Sequence, residues 1–130
     1  MSLEKNCLYN FVENVETPSN AVVDLLREAT LTIAKEQEMV VKICGKSIFY
    51  RLRAMFNKKI FIEYQVCMNE GIIRSLNSGI RILKTGLRKF RDDESSMNEI
   101  MDGLKVLTDL KEHWEMHLRR LKLYQLTNKN

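Results

Sequence analysis

The two histidines of the chain, His113 and His117, lie four residues apart around the single tryptophan, Trp114. On a helix this spacing places both imidazoles on one side, as a zinc site requires. Zinc also needs a third and usually a fourth ligand, and the nearby Glu112 and Glu115 lie on other faces of such a helix. We therefore interpret the histidines as polar residues beside a packed tryptophan, and keep a metal site as the weaker alternative.

No other grouping in the sequence indicates catalysis. The chain has no P-loop, no GxGxxG turn, no GxSxG turn, and no histidine close to a cysteine. Glu28, Glu36 and Glu38 do not form the Glu-x-x-His pairs of a diiron bundle. We predict that the protein is not an enzyme, carries no cofactor and has no small-molecule substrate.

The three cysteines, Cys7, Cys44 and Cys67, are far apart in the sequence and form no CxxC pair. We interpret them as reduced thiols, which predicts an intracellular protein, either cytoplasmic or nuclear. The first residues do not have the pattern of a secretory signal. No run approaches the ~18 apolar residues that span a bilayer.

The composition restricts the elements that could position these residues. A chain of 130 residues with 45% apolar and 29% charged residues is typical of one soluble domain, which we place at 1–130. Five glycines and one proline are few turn formers for a β protein. We therefore predict an all-α fold.

Apolar residues recur at steps of three and four along three long stretches. The first covers about 19–44, with Thr17 or Ser19 as the amino-terminal cap and Gly45 as the carboxy-terminal cap. The second, 47–91, is too long for one globular helix, and we expect a bend or break near 69–71.

The third stretch covers about 96–126 and begins with Ser96 and Glu99, whose spacing predicts a capping box. Apolar spacing before residue 16 predicts an additional short helix. The sequence therefore predicts an antiparallel bundle of three long helices, the middle one bent or broken, plus a short amino-terminal helix.

The middle of the chain carries the positive charge. Residues 46–91 have a net charge of +9, whereas residues 1–45 have −3 and residues 92–130 have −2. One explanation is that the basic helix lies between two acidic helices and its charges form ion pairs at the surface. The other is that the basic side chains are left unpaired and bind an anion. The candidate anion-binding residues are Arg51, Arg53, Lys58, Lys59, Arg81, Lys84, Arg88 and Lys89.

Residues 46–61 form the most amphipathic part of this basic region. A helical wheel places five apolar residues on one face, with Arg51 and Arg53 beside it. Such a helix can lie on a membrane or enter a partner's groove, but the commoner outcome, which we expect here, is that its apolar face joins the core. The apolar residues are Ile48, Phe49, Leu52, Met55 and Phe56.

A strip of small residues, which includes Gly71, Ser75 and Gly79, runs along the second stretch. It permits close helix packing, marks a bend, or provides a ligand slot. The third stretch carries a heptad-like apolar seam from Ile100 to Gln125.

Our leading hypothesis is a non-enzymatic protein–protein interaction module, an adaptor or scaffold that binds another protein's helix or a second copy of itself. The candidate apolar contacts are Ile48, Leu52, Met55, Phe56, Trp114, Leu118 and Leu121. The runner-up is a basic bundle that binds nucleic acid or an anionic membrane through residues 46–91. Salt dependence separates the two, because phosphate contacts weaken steeply with ionic strength.

Overall fold

The computed structural model describes residues 20–127, which form an all-α bundle as the sequence predicts. The short amino-terminal helix and the cap at Thr17 or Ser19 lie outside the described residues. The helices are α1 (Asn20–Gly45), α2 (Ile48–Phe56), α3 (Lys58–Leu87) and α4 (Glu94–Thr127), with a 3-10 turn at Arg88–Phe90.

Helix α3 is the centre of the bundle. Both α1 and α4 pack along it, and they touch each other over a much shorter length. The arrangement is antiparallel: the beginning of α1 meets the end of α3, where Leu25 lies against Gly86. The end of α4 returns to the beginning of α3, where the Lys58 ammonium lies 4.9 Å from the Tyr124 ring centre.

The apolar core occupies one half of the bundle, which we call the packed end. Its side chains come from the first part of α1, the second part of α3 and the first part of α4. They are Val22, Leu26, Ala29, Ile33, Leu76, Ile80, Leu83, Ile100 and Leu107.

Beyond this core, polar side chains are buried beside the smaller apolar Ala34 and Val40. Gln37 Nε2 donates to Ser75 Oγ at 3.4 Å, and the buried Asn69 donates to the Gln65 carbonyl oxygen at 2.6 Å. Past this polar layer lie residues 39–67 and 116–127, which we call the open end. There the structure buries only small or medium side chains: Val40, Cys44, Ala54 and Val66.

The break in the second stretch falls at Asn57, and the expected break at 69–71 is wrong. Helix α3 runs unbroken past Gly71. A close contact with Val40 accounts for the glycine, because an added Cβ atom would overlap Val40. Gly79 lies against Ile33 in the same way. The strip of small residues therefore serves the close packing of α1 on α3.

Asn57 both ends α2 and begins α3. Its backbone is extended, and its side-chain oxygen accepts a hydrogen bond from the Ile60 amide at 3.2 Å. Asparagine is among the best amino-terminal caps, because its side chain satisfies an amide that has no partner inside the helix. A local hydrogen bond, and not a glycine, sets the boundary.

At the junction of α1 and α2, helix α1 ends at Gly45, one residue beyond the predicted end. The left-handed residue that follows is Lys46, with φ of 48°, in a position that usually favours glycine. Ser47 then caps α2, since its hydroxyl oxygen accepts from the Tyr50 amide at 3.2 Å.

The predicted capping box of Ser96 and Glu99 is wrong, because Asp93 caps α4. The Asp93 carboxylate accepts from the Ser96 amide at 3.3 Å and from the Ser96 hydroxyl at 2.7 Å. These hydrogen bonds lower the pKa of Asp93. Glu99 Oε2 is buried with no hydrogen-bond partner, and burial, followed by the Asp93 charge, raises the Glu99 pKa.

Cys44 and Cys67 form a disulfide, so the interpretation of these two as reduced thiols is wrong. Their Cα atoms are 5.7 Å apart although 23 positions separate them in the sequence, because α2 forms an excursion between α1 and α3. Cys7 lies outside the described residues. The thiol argument for an intracellular location therefore loses its basis. Within residues 20–127, no helix has the length and apolar character needed to cross a membrane.

Candidate docking surface at the open end

The apolar face of α2 points away from the bundle. Its buried residue is Ala54, which is 7% exposed, whereas the opposite face consists of large apolar side chains in contact with solvent. Phe56 is 86% exposed, Phe49 75% and Met55 73%, and Ile48 and Leu52 complete the face. The expectation that this face joins the core is wrong.

Small and polar contacts hold α2 on α3. Besides Ala54, the half-buried Tyr50 packs against Tyr64, with ring centres 6.3 Å apart. The Tyr50 hydroxyl donates to Glu63 Oε1 at 3.4 Å. Burial and then the Glu63 charge raise the Tyr50 pKa. These contacts orient α2 with its large apolar side chains outward.

Basic side chains border the exposed apolar face. On the wheel of α2, Arg51 and Arg53 lie about 100° to either side of Leu52, which is the centre of the face. Both arginines are exposed, as are Lys58 and Lys59 at the beginning of α3. The exposed Phe61 lines a groove between α2 and α3 together with Met55 and Phe56. An apolar centre with cationic edges results.

Exposed large apolar side chains are concentrated at the open end. Of the fourteen within residues 20–127, only Leu31 and Met101 lie elsewhere. Moving a fully exposed side chain of this kind out of water contributes about 1.5–3 kcal/mol, so each of these side chains leaves part of that stabilisation unused in the fold. The other twelve are Met39, Val41, Ile43, Ile48, Phe49, Leu52, Met55, Phe56, Phe61, Met116, Leu123 and Leu126.

The same end carries all of the excess positive charge of residues 20–127. It has nine basic residues and one acidic residue, Glu63, whereas the rest of the described chain has ten basic and thirteen acidic residues. The single ion pair within residues 20–127 joins Lys46 and Glu63 at 3.8 Å. The basic residues of the open end are Lys42, Lys46, Arg51, Arg53, Lys58, Lys59, Arg119, Arg120 and Lys122.

The basic stretch of the sequence thus separates into two clusters. Arg81, Lys84, Arg88 and Lys89 are exposed at the packed end, about 40 Å from Lys58 along the helix axis. Three of them border a shallow groove that also contains Asn77 and Thr85. This second cluster has no exposed apolar face beside it.

Trp114, Leu118 and Leu121 occupy the seam predicted for α4. All three are half-buried, and Trp114 packs against the edge of the core. None of the three is among the exposed large apolar side chains, to which the face of α2 belongs. Nearer the end of α4 a groove of about 880 Å³ opens between α3 and α4, with Lys58, Ile62, Val66, Lys122, Tyr124 and Leu126 among its walls.

The two histidines flank Trp114. The His113 and His117 ring centres lie 5.8 Å and 6.2 Å from that of Trp114, each edge-on, and both imidazoles are exposed. In the described part of the chain, no three histidine, cysteine, aspartate or glutamate side chains are grouped as metal ligands would be. The ring contacts place both imidazoles beside a half-buried tryptophan.

Sequence reasoning missed Phe61 and the three basic residues Arg119, Arg120 and Lys122. The three basic residues could have been found from the predicted antiparallel order of the helices. That order brings the end of the last long helix back to the beginning of the middle one.

Comparison with protein-family models, curated proteins and solved structures finds no match for this chain.

Proposed function

We propose that this chain is a non-enzymatic helical interaction module and that the open end is its binding surface. The observation that carries the proposal is the outward apolar face of α2, with twelve of the fourteen exposed large apolar side chains at the same end. Patches of this kind, rimmed by polar residues, are typical of interaction surfaces. The absence of a recognisable catalytic grouping in the sequence favours a binding role.

The charge of the open end favours an anionic partner over a second copy. In a two-fold symmetric dimer the same surface patch meets itself. The basic residues of one open end would then lie close to those of the other, and each end carries eight excess positive charges. Like-charge contact of this kind opposes association, whereas a negative surface would be attracted.

Covalent capture in cells that produce the protein tests the proposal. A photoreactive amino acid in place of Phe49 should form adducts on illumination, because a partner covers that face. The control places it at Leu31, which is 54% exposed but outside the open end. Adducts of equal yield from both positions, or none from Phe49, would remove the open end as the binding surface.

The compartment is a separate prediction. We propose a cytoplasmic or nuclear location, as expected from the sequence. The Cys44–Cys67 bond is unusual in a strongly reducing compartment, so this location requires conditions in which the disulfide persists.

A further inference from the structure

Resting on the proposed binding role of the open end, we propose that its occupant is the surface of a lipid bilayer that contains anionic phospholipids. Helix α2 lies in the plane of the interface, with Phe49, Leu52 and Phe56 among the upper parts of the acyl chains. Arg51 and Arg53 reach the phosphates on either side.

The orientation of α2 fits this arrangement. Amphipathic helices that lie on bilayers bury their apolar face about 5–10 Å into the boundary between headgroups and acyl chains. The apolar side chains of α2 project from the outside of the bundle, with Ala54 on the opposite, inner side, so the whole face can enter a fluid surface without a change in the fold. A partner protein would have to match both the outward ridge of α2 and the groove that Met55, Phe56 and Phe61 line beside it.

The charge of the open end fits the same partner. Arginine side chains at the edges of an apolar face can place their apolar stems beside acyl chains and their guanidinium groups among phosphates. Lys58 and Lys59 follow at the beginning of α3, and the basic end of α4 adds Arg119, Arg120 and Lys122. A cluster of this size is attracted to anionic lipid and is released by salt.

Nucleic acid fits this surface less well. Its phosphates would meet the arginines at the edges, but the apolar centre of α2 would then face a polyanion and remain in contact with water. Proteins that bind single strands place aromatic rings within a basic groove, so that bases stack on them. Here Phe49, 75% exposed, projects from the outer side of α2, and of the five apolar residues of that face only Met55 and Phe56 line the groove beside Arg51 and Lys58. Binding to lipid and binding to nucleic acid can be distinguished by experiment.

The test is co-sedimentation of the disulfide-bonded, full-length protein with lipid vesicles. One set is phosphatidylcholine alone, and the other contains about 30% phosphatidylserine, each at about 50 mM and 200 mM salt. We expect binding to the anionic vesicles at low salt, at least about tenfold weaker binding at high salt, and little binding to the neutral ones. A mixed-sequence DNA duplex and single strand serve as the competing probes.

Two variants with matched controls locate the surface. The apolar variant, Phe49→Gln with Phe56→Gln, is compared with Leu31→Gln and Met101→Gln, which are also exposed but lie outside the open end. The charge variant removes four positive charges by glutamine substitution at Arg51, Arg53, Lys58 and Lys59. Its control removes four at the packed end: Arg81, Lys84, Arg88 and Lys89.

We expect both open-end variants to lose at least about tenfold in vesicle affinity and both controls to stay within about twofold. No binding to anionic vesicles at low salt, or equal losses in the controls, overturns the bilayer assignment. Tighter binding to DNA, unaffected by the Phe49 and Phe56 substitutions, also overturns it. In either case adducts at position 49 would still support the proposed binding role, so the two proposals can fail separately.

Discussion

Individual side chains show where polar groups determine the local structure of this chain. Asp93 caps α4 and its carboxylate accepts two hydrogen bonds from Ser96, so the carboxylate is best stabilised when it is charged. Glu99, six residues after Asp93, has a buried oxygen without a hydrogen-bond partner. The sequence predicted Ser96 as the cap and Glu99 as its partner, because a serine and a glutamate three residues apart match the capping-box pattern. An aspartate three residues before the serine was the competing cap.

Replacing Glu99 with glutamine is expected to stabilise the protein at neutral pH. The folded-state pKa of Glu99 lies above the ordinary glutamate value of 4.5. The stability that protonated Glu99 contributes is therefore fully present below pH 4.5. It is lost as the pH rises through the folded-state pKa, because the buried carboxyl group then ionises. We predict that Glu99→Gln has a higher melting temperature than the unsubstituted protein at pH 7, and that the difference disappears in acid.

Melting temperatures measured between acid and neutral pH check this prediction. Glu112→Gln, at an exposed position in the middle of α4, is the control for the loss of a negative charge. If Glu99→Gln and its control show the same pH dependence, burial of the Glu99 carboxylate does not destabilise the folded protein.

At the scale of the elements, periodicity predicted the three long helices. It failed where one sequence pattern fitted two different structures. The glycine at 71 could mark a bend or a close contact, and the choice depends on Val40, a residue 31 positions away that sequence spacing cannot place. The apolar face of α2 had the same ambiguity. A wheel shows that Ile48 and Phe56 share a face, but it does not show whether that face meets α3 or solvent.

Gly79→Ala tests the close contact between α1 and α3. A methyl group there overlaps Ile33, and overpacking of this kind typically costs about 1–3 kcal/mol. The better helix propensity of alanine returns about 1 kcal/mol or less. We expect a net decrease in the free energy of unfolding, measured by urea denaturation. Ser78→Ala, one position away and only half-buried, should not destabilise the protein, and equal stability of the two variants would contradict the contact.

The disulfide should stabilise the open end in particular. Cys44 and Cys67 close a loop that contains all of α2, and a bond across 23 residues typically contributes about 2–4 kcal/mol. We expect reduction to accelerate amide hydrogen exchange in α2 and the adjoining ends of α1 and α3. Exchange in the packed end should change little because its core lies beyond the polar layer of Gln37, Asn69 and Ser75. Uniform acceleration along the chain would show that the two ends unfold together.

At the scale of the whole molecule, apolar core and positive charge are at opposite ends. The packed end contains the large buried side chains, and the open end contains the exposed ones together with nine basic residues against one acidic residue. The net charge of +4 conceals this division, as does the linear run of charge from 46 to 91, which the fold separates into two distant clusters. Only the antiparallel order of α3 and α4 reveals which basic residues lie at the same end of the molecule.

The charge asymmetry predicts the state of association in solution. A dimer through the open end would bring two highly positive surfaces together, so at about 50 mM salt, where screening is weak, we expect the mass of one chain, 15.3 kDa. Light scattering measures this mass directly. A dimer that persists at both low and high salt would show that apolar contact between copies outweighs the repulsion.

The exposure of the apolar face of α2 is tested most directly by the free energy of unfolding of the double variant Phe49→Ser with Phe56→Ser. Denaturant titration measures it, with Leu83→Ala as the comparison. Because both phenylalanines are exposed, the double variant should unfold within about 0.5 kcal/mol of the unsubstituted protein. Leu83 is fully buried, and its truncation should cost about 2–5 kcal/mol. A loss of about 2 kcal/mol or more in the double variant would place the apolar face of α2 in the core and contradict a binding surface at the open end.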